Sequence, residues 1–307
     1  MDGALFLIQL LNGIQLGVLL FLVAAGLTLV FGIMDFVNLA HGALYMVGAF
    51  FCASLTLQLD SFVLAIIISL PGVFLVGYVM EILIIRHLYD RNHLDQVLAT
   101  FGLILVFDTL VHIIWGPAGL SITLPDAVNG RINLFGITEF PVYRLLIIAA
   151  GLLVALALYL VISRTRIGML VRAGASNRVM AGALGVDIQK LFRYVFAAGA
   201  MLAGFGGMII APITEARIGM GSDILLIAFV VIIIGGIGSI RGAFIASIIV
   251  GLIDTMGRSF LDDIMKLMVN STAAETAAPA ISAMLVYILM AAILYFRPQG
   301  LFPPKVR

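Results

Sequence analysis

Long apolar runs separated by short polar segments dominate the pattern of this chain. They cover roughly 5–33, 39–58, 62–85, 97–115, 142–162, 194–212, 222–240, 242–257 and 281–296. Runs of about 20 apolar residues with few charges are typical of membrane-spanning helices. The pattern therefore predicts an all-α, polytopic membrane helix bundle with about nine apolar segments. The runs 222–240 and 242–257 could be re-entrant or broken rather than full spans.

Composition supports a single transmembrane domain over residues 1–307. The chain is 63% hydrophobic and 11% charged, whereas soluble globular chains carry about a quarter charged residues. A net charge of +1 gives no reason to expect a nucleic-acid partner. The lipid bilayer is the expected surrounding.

The basic residues predict the orientation in the membrane. One polar segment, 164–193, contains Arg164, Arg166, Arg172, Arg178, Lys190 and Arg193. Basic residues favour the cytoplasmic side, so this segment should be cytoplasmic, with the N-terminus outside and the C-terminus inside. Met1-Asp2 has no basic stretch before the first apolar run, which is expected to be a retained span.

The basic segment also contains a short predicted helix. Ser176 or Asn177 can cap its start and Gly185 can end it. One face of this helix carries Val179, Met180, Ala183 and Leu184. A helix of about two turns is not stable alone, so its apolar face is expected to bind a soluble partner. The alternative is a helix that rests on lipid.

Two further loops, 116–141 and 258–280, are expected on the outer side. Asn129-Gly130 lies between β-branched residues and predicts a hairpin with a type I′ turn, although a simple connector is an alternative. The second loop has Phe260, Leu261, Ile264, Leu267 and Met268 at helical spacing. This spacing predicts a helix lying on the membrane surface.

Polar residues interrupt the apolar pattern at Asn38, His41 and Tyr45, which a continuous helix would place on one face. One interpretation is a broken-helix element beside a substrate path, because polar groups at membrane depth must be buried in protein or line water. The other is a cytoplasmic turn in which Asn38 caps a helix and His41 is hydrogen-bonded nearby.

Other ionisable residues within spans form three potential pairs. Asp108 and His112, at i and i+4, could relay protons in a secondary carrier or form a structural pair. Asp254 with Arg258 is a similar pair near an outer end and requires no special role. Glu81 and Arg86 lie at an inner end, where both can extend to the membrane surface.

Several kinds of site have no counterpart in the sequence. There is no G-x-x-x-x-G-K-[S/T] phosphate loop, the four histidines lack metal-ligand spacing, and no catalytic arrangement is evident. We therefore expect no catalytic residue, no metal site and no cofactor in this chain. If transport uses ATP and Mg²⁺, other chains must bind them.

Four motifs resemble the branched-chain amino-acid (LIV-type) ABC permeases, in the same order along nearly the whole chain. They are the basic segment 164–193, the stretch Phe36-Val37-Asn38-Leu39-Ala40-His41-Gly42, the run Gly235-Gly236-Ile237-Gly238-Ser239-Ile240 followed by Gly242-Ala243, and Arg297-Pro298-x-Gly300-Leu301-Phe302. The chain looks most like the first of the two permease subunits in such systems.

The resemblance implies an importer with several partners. It would pair this chain with a second homologous permease subunit, two cytoplasmic ATPase subunits and a periplasmic binding protein in the bacterial inner membrane. It also implies an ATPase-coupling set: Arg172, Ala173, Gly174, Asn177, Val179, Met180, Ala181, Ala183, Leu184, Gly185 and Val186. Asn38, His41 and Tyr45 would lie near the translocation path. The family imports branched-chain amino acids and also urea, short amides and aromatic acids.

Overall fold

The computed structural model describes residues 3–125, 128–134, 136, 138–267 and 270–303. The predictions that involve Asp2 and Met268 lie outside the described residues. The described part is mainly helical, with one two-stranded sheet.

The helices follow one another along the chain with short connections. They are α1 (Gly3–Met34), α2 (His41–Leu59), α3 (Phe62–Leu83), α4 (His93–Trp115), α5 (Val142–Arg164), α6 (Arg166–Ser176), α7 (Arg178–Ala183), α8 (Ile188–Thr214), α9 (Met220–Gly235), α10 (Ile240–Lys266) and α11 (Ser271–Phe296). A 3₁₀ turn occupies Ile85–His87, and strands β1 (Arg131–Leu134) and β2 (Thr138–Pro141) pair antiparallel.

The prediction of a polytopic all-α bundle is confirmed. Within the described residues, eight helices are long and apolar enough to cross a membrane. The run 242–257 belongs to the full-length helix α10, whereas α9 has only 16 residues. At 1.5 Å per residue α9 is about 24 Å long, which is shorter than the ~30 Å hydrocarbon core.

The centre of the bundle is formed by α1, α2, α8 and α9, which are mostly buried, while α3, α4, α5 and α11 expose most of their apolar side chains. Glycines permit the close packing of the central helices. Gly48 of α2 contacts the backbone of Gly204 in α8, and Gly42 contacts the backbone of Gly221 in α9. A side chain at these positions would separate the helices, so small residues define the core here.

The two ends of the bundle carry different structures. We name the end with α6 and α7 the inner end, and the end with the β1–β2 hairpin the outer end. The sequence predicts that the inner end is cytoplasmic, and this orientation stays a prediction, as does the division into a single domain.

The outer hairpin exists, but its predicted turn is wrong. Asn129-Gly130 precedes β1, and the strands instead reverse around Gly136, whose φ is 72°. Gly130 contributes its carbonyl oxygen to the Val142 amide at 3.0 Å and so closes the base of the hairpin. The Asn-Gly pair therefore marks the start of the hairpin rather than its tip.

The predicted surface helix over 258–280 is also wrong. Residues up to Lys266 continue α10, and α11 begins at Ser271, so the two helices form a hairpin. Lys266 explains the continuation, because its ammonium group lies 2.7 Å from Asp262 and 3.1 Å from Glu275 and joins the two helices. Phe260 itself is buried, and its ring centroid lies 6.4 Å from that of Phe6 in α1.

Candidate functional site

The coupling segment, residues 164–193, forms two short helices with well-defined ends. The Thr165 hydroxyl caps α6, and the Asn177 side chain caps α7 by accepting the Met180 amide at 2.9 Å. Gly185, with φ 89°, ends α7, where the Gly185 amide donates to Gly182 and the Val186 amide to Ala181. This is the Schellman arrangement, which satisfies the last carbonyls of a helix.

A second cap joins α7 directly to α8. The Asp187 carboxylate accepts the backbone amide of Lys190 at 3.0 Å, as an N-cap does at a helix start. This hydrogen bond, together with the nearby Lys190 ammonium, lowers the pKa of the Asp187 carboxyl below its ordinary value. Only Leu184 to Asp187 separate the two helices.

The apolar face of α7 has no cover within the described part of the chain. Val179, Met180 and Leu184 are 79%, 57% and 78% exposed. Ala183 is also exposed, while Ala181 on the opposite side is buried and holds α7 against the bundle. Large apolar side chains grouped on one short helix mark an interaction surface.

The other predicted coupling residues surround this helix. Arg172 and Ala173 are exposed on α6, and Val186 is half-buried. Gly174 is buried, and a side chain there would meet Leu191 of α8 and Ile33 of α1. The coupling segment therefore lies directly against the inner ends of two central helices.

A cavity of about 1030 Å³ opens beside the coupling segment at the inner end. Its walls come from the ends of α1 and α5, the α6–α7 junction and the start of α10. Arg172, Arg178 and Arg241 line it together with Asp35, and the Arg241 guanidinium lies over the Tyr159 ring. The cavity is therefore open and basic.

Asn38, His41 and Tyr45 lie in the interior, but they do not share one helix. His41 is the first residue of α2, while Asn38 lies in the non-helical segment 35–40 and caps nothing. The prediction of a shared face and of an Asn38 cap is therefore wrong. The chain leaves the helix before Asn38 because Asp35 adopts φ 52° at the end of α1.

The break between α1 and α2 is buried within the bundle. Asn38 and His41 have no exposed surface, and Tyr45 is 4% exposed. His41 Nε2 donates to the Val23 carbonyl oxygen at 3.1 Å, since a carbonyl can only accept. Among the described residues, the Asn38 amide and His41 Nδ1 have no hydrogen-bond partner. The arrangement is a buried broken helix rather than a solvated turn.

Two polar residues of α4, absent from the sequence predictions, support this break. The Gln96 Oε1 accepts the Val37 amide and the Thr100 hydroxyl accepts the Leu39 amide, each at 3.2 Å. Both side chains are buried. Their spacing of i and i+4 is the signal that could have identified them, because buried backbone amides outside a helix require such partners.

Glu81 has a different partner from the one predicted. Its carboxylate is buried and lies 3.3 Å from Arg193 Nε, and the Tyr89 hydroxyl donates to it at 3.1 Å. The Arg193 guanidinium also lies over the Tyr78 ring. The expectation that Glu81 and Arg86 both extend to the membrane surface is wrong for Glu81. This ion pair joins α3 to the first turns of α8.

The remaining pairs within spans differ from each other. Asp254 and Arg258 form the expected pair, with two contacts of 2.9 Å. Asp108 is half-buried and His112 exposed on the peripheral helix α4. No hydrogen bond joins these two side chains, and among the described residues none connects either side chain to a relay.

The comparisons with known proteins agree on one family. The family model described as the permease component of branched-chain amino acid transport systems matches residues 9–294. The permease protein BraD of Pseudomonas aeruginosa is 28% identical, covering 96% of this chain and 95% of its own length. LivH of Escherichia coli is 27% identical (83% and 87%), and a probable LivH of Methanocaldococcus jannaschii is 26% identical (92% and 88%). No solved structure gives a significant match.

Proposed function

Since this chain belongs to the family of branched-chain amino-acid transport permease components, we propose that it is the membrane-spanning subunit of an ABC importer. Separate ATPase subunits would drive the importer, and a periplasmic binding protein would deliver the substrate. The chain would pair with a second homologous permease subunit in the cytoplasmic membrane. ATP and Mg²⁺ would bind the ATPase subunits rather than this chain.

The exposed apolar face of α7 is the observation that carries this proposal. Val179, Met180 and Leu184 lie on a helix whose two ends are capped, so the helix keeps its shape while the face stays uncovered. Burying a large apolar side chain contributes about 1.5 to 3 kcal/mol. A groove on the ATPase surface would gain this energy on binding α7.

The charges around α7 favour an acidic protein partner over lipid alone. Arg166, Arg172 and Arg178 form no ion pair with the described residues. Arg178 is the first residue of α7, whereas Arg166 and Arg172 lie on the neighbouring α6. Guanidinium groups bind carboxylates in two-pronged geometry. We expect acidic side chains around the groove of the ATPase that receives α7.

Transport would follow from movement of the coupling segment. Closure of the ATPases would displace α7, and the short Asp187 connection would transmit this displacement to α8. Arg193 and Glu81 would carry it to α3, since they join the two helices at the inner end. The substrate would cross in the cleft between the two permease subunits. Asn38, His41 and Tyr45 are buried inside this chain, so their place near that path stays a prediction.

The substrate class rests on the relatives, whose names specify branched-chain amino acids. Selection would rest mainly with the binding protein. The proton-coupled carrier has no comparable support, because Asp108 and His112 are not bonded to each other.

A substitution on α7 tests the docking. Leu184→Asp places a charge at the C-terminal end of the apolar face, and we expect loss of ATPase co-purification and of leucine uptake. The matched control is Leu267→Asp, because Leu267 is 87% exposed at the outer end. The control should retain both properties, and membrane insertion of both variants is checked by fractionation. If the Leu184→Asp variant still bound the ATPase, the assignment of the α7 apolar face as the docking surface would be wrong.

A further inference from the structure

Most basic side chains at the outer end have a carboxylate partner. The ion pairs are Arg131 with Glu139 at 3.6 Å, Arg217 with Asp223 at 2.6 Å, Arg258 with Asp254 at 2.9 Å, and Lys266 with Asp262 at 2.7 Å. Arg144 differs from these residues, because no ion pair joins it to any carboxylate in the described residues.

Arg144 also lies at a position that is electrostatically unfavourable for a positive charge. Arg144 is the third residue of α5 and is half-buried beside α1. The start of a helix carries partial positive charge, so an arginine in the first turn adds to an already positive site. Such a placement is unfavourable unless an anion binds there.

A row of amide side chains extends from Arg144 along α1. Gln9, Asn12 and Gln15 recur every third residue, and apart from Thr28 they are the polar side chains of this helix. Arg144 donates to Asn12 Oδ1 at 2.5 Å, and the Asn12 amide donates to Gln9 at 3.2 Å. Gln15 is 5% exposed, so the row leads from the outer end into the bundle.

The contacts of α1 show which neighbour this row faces. Asn12 contacts Arg144 of α5, and one turn below Gln15 a side chain at Gly151 of α5 would meet Val18. Gln15 lies between these two contact points on the helix. The row therefore follows the seam between α1 and α5, whose inner end lines the 1030 Å³ cavity.

We propose that the outer cluster, Arg144 with Gln9, Asn12 and Gln15, receives the α-carboxylate of the amino acid released by the binding protein. The free N–H groups of the guanidinium would bind the two carboxylate oxygens, and the amides would accept from the ammonium group. This inference rests on the proposed function, and it adds the chemical group that the permease recognises.

The test uses the complete complex in proteoliposomes, with radiolabelled leucine, binding protein outside and ATP at the ATPase side. Two variants separate ligand binding from helix packing. Arg144→Gln removes the charge. Asn12→Asp gives Arg144 a carboxylate within the chain, which would strengthen the α1–α5 contact while occupying the guanidinium. Arg131→Gln is the control, since Arg131 is exposed and already paired.

Both variants should lower the leucine transported per ATP hydrolysed by about tenfold, as expected from losing a charge-assisted hydrogen bond. The control should stay within about twofold of the unmodified complex, by the small effect of surface ion pairs. Saturable leucine binding to the purified complex, without binding protein, should fall in parallel.

The outcomes that overturn the inference are distinct. Normal transport by Asn12→Asp with loss in Arg144→Gln would mean that Arg144 only holds the helices together. Normal transport by both variants would mean that the cluster binds no carboxylate. If the unmodified complex shows no nucleotide-dependent leucine uptake, the proposed function itself fails and this inference falls with it.

Discussion

The two ends of the bundle differ in how they satisfy their surface groups. At the outer end, segments are joined to each other: the Leu120 and Ala216 backbones exchange two hydrogen bonds, and Ser121 donates to Glu215 at 2.8 Å. At the inner end, Arg166, Arg172 and Arg178 form no ion pair with the described residues, and Leu184 on α7 is 78% exposed. The outer end therefore pairs more of its basic groups within the described residues than the coupling segment does.

Beneath the exposed surface, however, the inner end is firmly anchored. Glu81 and Arg193 are mostly buried and share further contacts with Tyr89 and Tyr78. The inner end therefore combines an exposed apolar face on α7 with an ion pair between α3 and α8. The proposed role in coupling uses both features.

The largest expected effect comes from breaking the inner anchor. Glu81→Ala removes a buried carboxylate and leaves the Arg193 guanidinium without its partner, which should destabilise the protein by about 3 to 5 kcal/mol. The midpoint of thermal unfolding of the purified complex should fall clearly.

The matched change at the outer end is Asp223→Ala. Its partner Arg217 and Asp223 itself are 57% and 64% exposed, and exposed ion pairs contribute about 0 to 1 kcal/mol. Equal losses of thermal stability in the two variants would show that the inner pair is no more important than a surface pair.

A smaller effect is expected from two helix caps of the same chemistry. Asn177→Ala removes the cap of α7, and Asn270→Ala removes the cap of α11, where Asn270 accepts the Ala273 amide at 3.0 Å. Each change should cost about 1 kcal/mol of helix stability. Only Asn177→Ala should weaken ATPase binding, by roughly fivefold to tenfold, since ~1 to 1.4 kcal/mol corresponds to such a change.

Binding to the ATPase subunits is measured by titration of the purified permease with labelled ATPase. If the Asn177 and Asn270 variants bound the ATPase with equal affinity, α7 would not be the docking helix. The two ends of the bundle would then not differ in this function.

Local patterns in the sequence predict most of the fold. Hydrophobic runs identify the spans, and the capping residues place the start of α7 at Ser176 or Asn177, of which the structure uses Asn177. This start was predictable because a cap depends on residues three positions apart. The sequence predicts a surface helix where α10 and α11 form a hairpin, because apolar spacing alone does not distinguish a surface helix from the end of a span. The hairpin also depends on Lys266, which joins Asp262 to Glu275 across the turn.

The interior of the site depends on partners distant in the sequence. The pairing of Glu81 with Arg193 joins residues 112 positions apart, and the Val37 amide finds Gln96 at a separation of 59. Local spacing suggested that Glu81 is associated with Arg86 and that Asn38 caps a helix. Tertiary packing instead pairs Glu81 with Arg193 and buries Asn38 in a non-helical segment. The exposed face of α7 was predictable because its residues are local.

Nucleotide dependence tests the central claim most directly. Proteoliposomes are prepared with the permease subunits alone and with the ATPase subunits added, and leucine uptake is followed with and without ATP. We expect accumulation of leucine only when ATPases, ATP and binding protein are all present. Accumulation by the permease subunits alone, without nucleotide, would contradict the role assigned to α7 and the inner end.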